Sequence, residues 1–301
     1  MLNMAAKPLL EYDVEWTDAH LQVQIMIREK EERAHALQGN YLNCARMNVD
    51  AGPNGLTAVS QSGSSCISSP TLDEWLVSVV SNTSEVDIVT DIEDFIGLVL
   101  STAWRRAGWA PTHAGAVASE SCCAVLCAPT MAGKSTLVAA MARREWRVLG
   151  DDKLLLRIGD AGPEVAALAY GMNLDPGTRK WFPEIGDLST LPRQSFYSDK
   201  RRVCLENFWP KKGMAAGRPT HLLRIARSEQ GTGVKVRPLE RFDVLSTLLR
   251  QTVIPTNAEI ANSVLSVMAE TAKHLRGFAV EIGVDAYSDP DCLIPLEKQL
   301  R

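Results

Sequence analysis

The chain has 301 residues, 46% hydrophobic and 23% charged, which is the range of a soluble globular protein with a sizeable core and excludes global disorder. A formal net charge of −4 speaks against a generally basic surface for nucleic acid. No apolar run approaches a membrane span, and the first residues meet charge too early for a signal peptide, so a cytoplasmic protein with no membrane and no nucleic-acid partner is expected.

Residues 1–90 read as a small N-terminal α+β lobe of unknown role. Leu21–Met26 alternates like a strand, Arg28–Leu37 is charged and helix-prone, and residues 51–71 carry the Gly, Ser, Asn and Pro of turns between short strands. Residues 91–301 read as the second domain. A helix is predicted from Asp91 to Trp109, capped by Asp91, with Phe95, Ile96, Val99, Leu100 and Trp104 on its apolar face. Strands follow at Ala114–Ala118, Cys122–Cys127, Arg147–Leu149 and Lys153–Ile158. Later come strands at Leu222–Ala226 and Val234–Val236, helices at Glu240–Gln251 and Asn257–Leu275, and a final strand at Ala279–Ile282. Strands alternating with helices give an α/β fold class with packed layers. Cys122, Cys123 and Cys127 fall in one apolar run of a seven-cysteine chain without a CxxC pair, which reads as buried thiols, with neither a disulfide framework nor a zinc site.

Between the second of these strands and an apolar-faced helix stand Ala128, Pro129, Thr130, Met131, Ala132, Gly133, Lys134, Ser135 and Thr136, the spacing of a P-loop with Ala in place of its first Gly. A polyphosphate needs converging donors. Successive backbone N–H groups and the positive end of the next helix supply them; Gly133 allows close approach, Lys134 reaches the β- and γ-phosphates, and Ser135 is a ligand for Mg²⁺. Asp151 and Asp152 follow the apolar pair Val148–Leu149. One carboxylate at such a strand end can hold the metal and the other can take a proton from an attacking hydroxyl. His113, alone in Pro111-Thr112-His113-Ala114-Gly115, reads either as a structural loop histidine or as a functional one.

His113 with the following Ala-Gly-Ala-Val, a buried strand, the P-loop, a helix, and then Trp146-Arg147-Val148-Leu149-Gly150-Asp151-Asp152 together resemble the kinase domain of HPr kinase/phosphorylase, which is related to the nucleotide core of phosphoenolpyruvate carboxykinases. His113 stands 15 positions before Ala128 and Asp151 17 after Lys134, separations that fit that family. The resemblance is strong over residues 113–156 and weak to 285. It implies a P-loop kinase core with a mixed sheet and flanking helices, ATP and Mg²⁺ as cofactors, phosphate binding by loop 128–136, an Asp151/Asp152 pair supplying base and metal contact, and His113 beside that pair. It also implies a phosphate-facing Arg218, from Gly217-Arg218-Pro219. The family's glutamate-containing signature has no clear match; the nearest stretch, Met172 to Lys180, offers Asp175 as a metal ligand and Arg179 or Lys180 as phosphate contacts. Lys200, Arg201, Arg202, Lys211 and Lys212 form, with Arg218, a basic cluster that is either solvated or meets phosphates or an acidic peptide.

Because the N-terminal residues do not resemble those of the HPr enzyme, the chain looks more like the stand-alone kinases of modified-peptide gene clusters, lasso peptides among them. The activity so implied is phosphoryl transfer to a serine of a peptide or small protein. Phosphorylation of a small molecule, nucleotidyl transfer and a non-catalytic nucleotide-binding adaptor are the competing readings. Oligomeric state stays open, although relatives often assemble as homo-oligomers.

Overall fold

A computed structural model describes residues 21–28, 37, 41–43, 46–81, 83–167, 171–195, 198–228, 233–283, 286–289 and 291–301. The expected helix at Arg28–Leu37 falls mostly outside them. Contacts divide the chain into two compact units. One comprises Val14–Ala107 with Ile254–Ser263; the other comprises Gly108–Val253 and Val264–Arg301 together with the first residues of the chain.

The unit that begins at Val14 is built on a six-stranded sheet. Its strands are β1 (Gln22–Arg28), β2 (Leu42–Asn43), β3 (Met47–Gly52), β4 (Gly55–Ser60), β5 (Ser65–Ser68) and β6 (Glu74–Val80), in the order β1-β6-β5-β4-β3-β2. Only the β1–β6 pair is parallel; the other neighbours are antiparallel. Helix α1 (Glu85–Arg106) covers it, and Phe95, Leu98 and Val99 bury against Val49, Trp75, Val77 and Val79. The helix starts six residues before the expected Asp91. Ser84 is its N-cap: its hydroxyl accepts from the Asp87 amide at 3.1 Å and donates to the Asp87 carboxylate at 2.7 Å. Asp91 is an interior residue, 6% exposed, whose carboxylate accepts from Ser60 and Ser62.

The second unit has thirteen described strands: β7 (Ala110–Thr112), β8 (Gly115–Ala118), β9 (Cys123–Cys127), β10 (Arg147–Gly150), β11 (Leu154–Gly159), β12 (Gly162–Ala167), β13 (Gly171–Leu174), β14 (Arg193–Ser195), β15 (Ser198–Cys204), β16 (Ala216–Gly217), β17 (His221–Ser228), β18 (Val234–Leu239) and β19 (Arg276–Gly283). They form a mixed six-stranded sheet in the order β10-β8-β9-β17-β19-β18, a four-stranded sheet β16-β12-β11-β7 and a three-stranded sheet β13-β15-β14. Four helices follow in chain order: α2 (Lys134–Arg143), α3 (Arg241–Arg250), α4 (Ala258–His274), whose first residues cluster with the other unit, and α5 (Ile294–Leu300). The molecule is thus α/β.

In the six-stranded sheet β9 runs parallel to β17 and β17 to β19, while β8 is antiparallel to both β9 and β10. The C-terminal ends of β10, β9, β17 and β19 therefore share one edge. Each of β9's five residues is buried, as expected of an apolar run in a central strand. Helix α2 packs on β8, β10 and β13, so Leu137 to Ala142 are all buried. Each Leu, Val or Met so buried contributes roughly 1.5–3 kcal/mol, which anchors the helix and hence its N-terminus. The cysteines of the described residues are free, with Cys122, Cys123 and Cys127 buried. No described helix is long and apolar enough to cross a membrane.

Candidate active site

Loop 128–133 leaves β9 and enters α2 directly, the strand–loop–helix order that the sequence pattern requires. Ala128 is buried, the Ala132 amide turns back to the Pro129 carbonyl at 3.2 Å, and two residues adopt the left-handed region, Met131 at φ 66° and Gly133 at φ 94°. Gly133 occupies that region without a Cβ penalty; Met131 does not, and it stands 66% exposed at the tip. Gly133 is also the N-cap of α2 and offers no side-chain acceptor. The first amides of α2 thus lack an intrahelical partner at the positive end of the helix. Residues 129–136 line a cleft of about 730 Å³ at this edge of the sheet.

Lys134 is 7% exposed, with its ammonium 3.6 Å from Asp152 Oδ1 and 3.5 Å from the His113 carbonyl. Burial pulls its pKa below the usual lysine value, against the opposing pull of Asp152 and Asp151. The two acids follow β10 immediately. A break in the β10–β8 register between Val148 and Gly150 precedes them, and the consecutive carboxyls occupy different environments. Asp151 is 3% exposed; one carboxyl oxygen accepts from the Asn173 amide at 2.9 Å, and Ser135 stands beside it. Burial pushes its pKa up to about 6 despite those hydrogen bonds. Asp152 lines the cleft instead. Burial pushes its pKa up too, but the hydrogen bond from His113 and the Lys134 charge outweigh that and hold it at about 2. His113 Nε2 is 2.9 Å from Asp152 Oδ1. Lys134, Asp152, His113 and the loop thus come together around one cleft, with Asp151 behind them.

Asp175 also lines the cleft, but one of its oxygens caps the short 3₁₀ turn Pro176–Lys180 by accepting from the Gly177 amide at 2.8 Å. Lys180 reaches the cleft with its ammonium over the Trp181 ring. Arg179 is not among the cleft-lining residues, nor is Arg218. Arg218 is exposed and precedes β17, at the sheet edge opposite the loop. Three residues that the sequence did not single out stand at the cleft or behind it: Asn173 holds Asp151, Gln251 holds His113, and Arg227 places a cation on the cleft wall, as does Lys200 of the expected basic cluster. A missing glutamate signature left Asn173 without a landmark, and Lys200 was visible only as one of three consecutive basic residues.

No protein-family model and no curated protein sequence matches the chain. Among solved structures, the HPr(Ser) kinase/phosphatase from Coxiella burnetii aligns with a TM-score of 0.35 and 8% identity, over 63% of this chain and 97% of that one. A likeness at that level carries no argument about activity.

Proposed function

We propose that the chain is an ATP- and Mg²⁺-dependent phosphotransferase that moves a γ-phosphoryl group onto a hydroxyl, with a serine of a peptide or small protein as acceptor. The observation that carries this reading is the buried Lys134 ammonium, held 3.6 Å from Asp152 at the mouth of an uncapped helix N-terminus. On this reading the loop and Lys134 are the cradle for a polyphosphate, and Asp152 is the carboxylate beside it in the same cleft.

The donors available to a metal are the Ser135 hydroxyl and the Asp151 and Asp152 carboxylates, all hard oxygens of the kind Mg²⁺ takes together with phosphate oxygens. The described residues contain no cluster of three or more His, Cys, Asp or Glu side chains able to cage an ion. A buried Asp151 pushed up to about 6 is a carboxylate short of positive charge. When bound, the ion would neutralise charge on the β- and γ-phosphates. Asp175, with one oxygen committed to Gly177, is the weaker ligand.

In the reaction so proposed, the loop amides and Lys134 hold the β- and γ-phosphates. The acceptor oxygen forms a bond to the γ-phosphorus while the bond to the β–γ bridging oxygen breaks, and the hydroxyl proton goes to Asp152, the acid that faces the cleft. The β10 end, with the acids, lies on one side of the loop, and the ends of β17 and β19 on the other. Arg227, Gly283 and Tyr287 wall that second side, where the nucleoside would lie, leaving the acid side to the acceptor.

Transfer from γ-labelled ATP to a pooled serine-peptide library, with ATP binding measured by calorimetry, tests the assignment. Lys134→Ala should lose ATP binding and transfer together. Asp152→Asn should keep binding and lose transfer by at least about 100-fold. Full transfer by either variant would sink the assignment.

A further inference from the structure

Gln251 lies outside both the loop and the acidic pair, yet it touches the residues that join them. It ends α3 as its C-cap. Its backbone carbonyl accepts from the His113 amide at 2.8 Å, and the next residue, Thr252, forms an antiparallel bridge with Thr112. The Thr112 and Thr252 hydroxyls meet at 3.4 Å. Segment 251–252 is thereby fixed alongside 112–113, and the Gln251 side chain is aimed at the His113 ring.

Three acceptors surround the end of that side chain. The His113 carbonyl lies 2.9 Å away, the Ala128 carbonyl 3.3 Å and His113 Nδ1 3.1 Å. Two of them are carbonyl oxygens, which can only accept, so the amide group of Gln251 must present its NH₂ here; its oxygen in that place would face two like dipoles. An NH₂ donating to Nδ1 requires a bare lone pair on that nitrogen. The ring proton then sits on Nε2, 2.9 Å from Asp152 Oδ1. Lys134 approaches the same carboxylate oxygen from another direction, and no described residue hydrogen-bonds the other oxygen of Asp152.

We propose that Gln251 is a positioning residue for the transfer reaction. Its carboxamide fixes His113 as the Nε2–H tautomer, a donor to Asp152, and ties His113 to Ala128 at the root of the phosphate loop. The proposal rests on the phosphotransferase reading and adds a division of labour to it. His113 is the hydrogen-bond donor that orients one oxygen of Asp152, and the second oxygen is left to receive the acceptor's proton.

The test compares wild type with Gln251→Leu, which removes the donor, and Gln251→Glu, nearly the same shape but able only to accept at neutral pH. Two readouts are needed: the ¹⁵N ring signals of His113 in histidine-labelled protein without nucleotide, and kcat with KM for ATP. The wild-type ring should show an unprotonated Nδ1 and a protonated Nε2. In both variants that signature should be lost or mixed, and kcat should fall about 10- to 100-fold with a much smaller change in KM, the usual scale for residues acting through another. ATP binding by calorimetry verifies that the variants fold. An unchanged ring signature in Gln251→Leu, or a changed signature with wild-type kcat, overturns the proposal. Were the wild type itself to transfer no phosphoryl group, the kinase reading would fall, while the nitrogen spectra would still decide whether Gln251 sets the ring.

Discussion

Asp151→Asn should stabilise this protein at neutral pH while destroying its proposed activity. The carboxyl is 3% exposed, and burial raises its pKa from 3.8 to about 6. The sign follows from proton linkage. Between about pH 4 and 6 the folded chain holds a proton that the unfolded chain has released, so stability falls as pH rises through that window; above it the carboxylate is confined where it is poorly solvated. The gap, at about 1.4 kcal/mol per pH unit, amounts to about 3 kcal/mol. Asn removes the charge and can still accept from the Asn173 amide through its carbonyl oxygen, so most of the 3 kcal/mol should return, raising Tm by roughly 6–12 °C. Asp152 behaves oppositely: its pKa is held at about 2, so its contribution is lost as pH falls from about 4 to 2 and cannot mimic the effect above pH 4. Urea unfolding of wild type and Asp151→Asn at pH 4, 6 and 8, followed by tryptophan fluorescence, reads the difference directly, and the titrating groups beyond the reach of Asp151 cancel between the two proteins. The curves should nearly meet at pH 4 and separate toward pH 8. Saturating Mg²⁺ and ATP should narrow the separation at pH 8, because the cation favours the ionised acid. Parallel pH profiles for the two proteins would refute the reasoning.

Two further outcomes follow from other contacts. Arg144 and Glu297 pair bidentately at 2.8 Å for both bonds, with Trp146 donating to the same carboxylate at 3.3 Å, and the pair fastens α5 to the end of α2. Glu297→Ala should cost about 1–2 kcal/mol in urea unfolding by removing two charge-assisted bonds from a part-buried guanidinium, whereas Asp291→Ala, at a 71% exposed partner, should cost less than about 0.5 kcal/mol. Lys200 lines the cleft with no ionic partner among the described residues, and its charge reaches Lys134. Lys200→Ala should lower kcat about 100-fold with ATP affinity within about fivefold, as for a cation acting on the transferring phosphoryl group; an unchanged kcat would return it to a solvated role.

What the sequence disclosed and what it hid divide along physical lines. The strand, loop and helix at residues 123–143 were legible because local chemistry dictates them: an all-apolar run buries, and Gly133-Lys134-Ser135 both ends the turn and begins the helix. The pairing of β9 with β17, and of β17 with β19, joins segments about 50 to 100 positions apart, and no local pattern encodes it. The start of α1 was misplaced because Asp91 looked like a cap, when the reciprocal bonds of Ser84 and Asp87 make the cap and Asp91 is buried under two serine hydroxyls.

The site follows the same division, and Gly115 marks where it runs. Two positions after His113, it reads in sequence as a small residue in an apolar strand. In the fold it lies against the turn that carries the acids: a Cβ there would stand 3.1 Å from the Gly150 carbonyl oxygen, 3.2 Å from Asp151 Cα and 3.2 Å from Val138. The absence of a side chain lets β10 close on β8, and that closure brings Asp152 within reach of both His113 and Lys134. The individual groups of the site can be picked out by residue type, since only certain side chains can do each job. Their distances are set by close approach, by the β10–β8 register break and by Gln251, a residue 138 positions from the histidine it holds. Lys134 and the acids can therefore be picked out from sequence as a set. Which of the two acids faces the cleft depends on burial, and burial is a property of the assembled sheet.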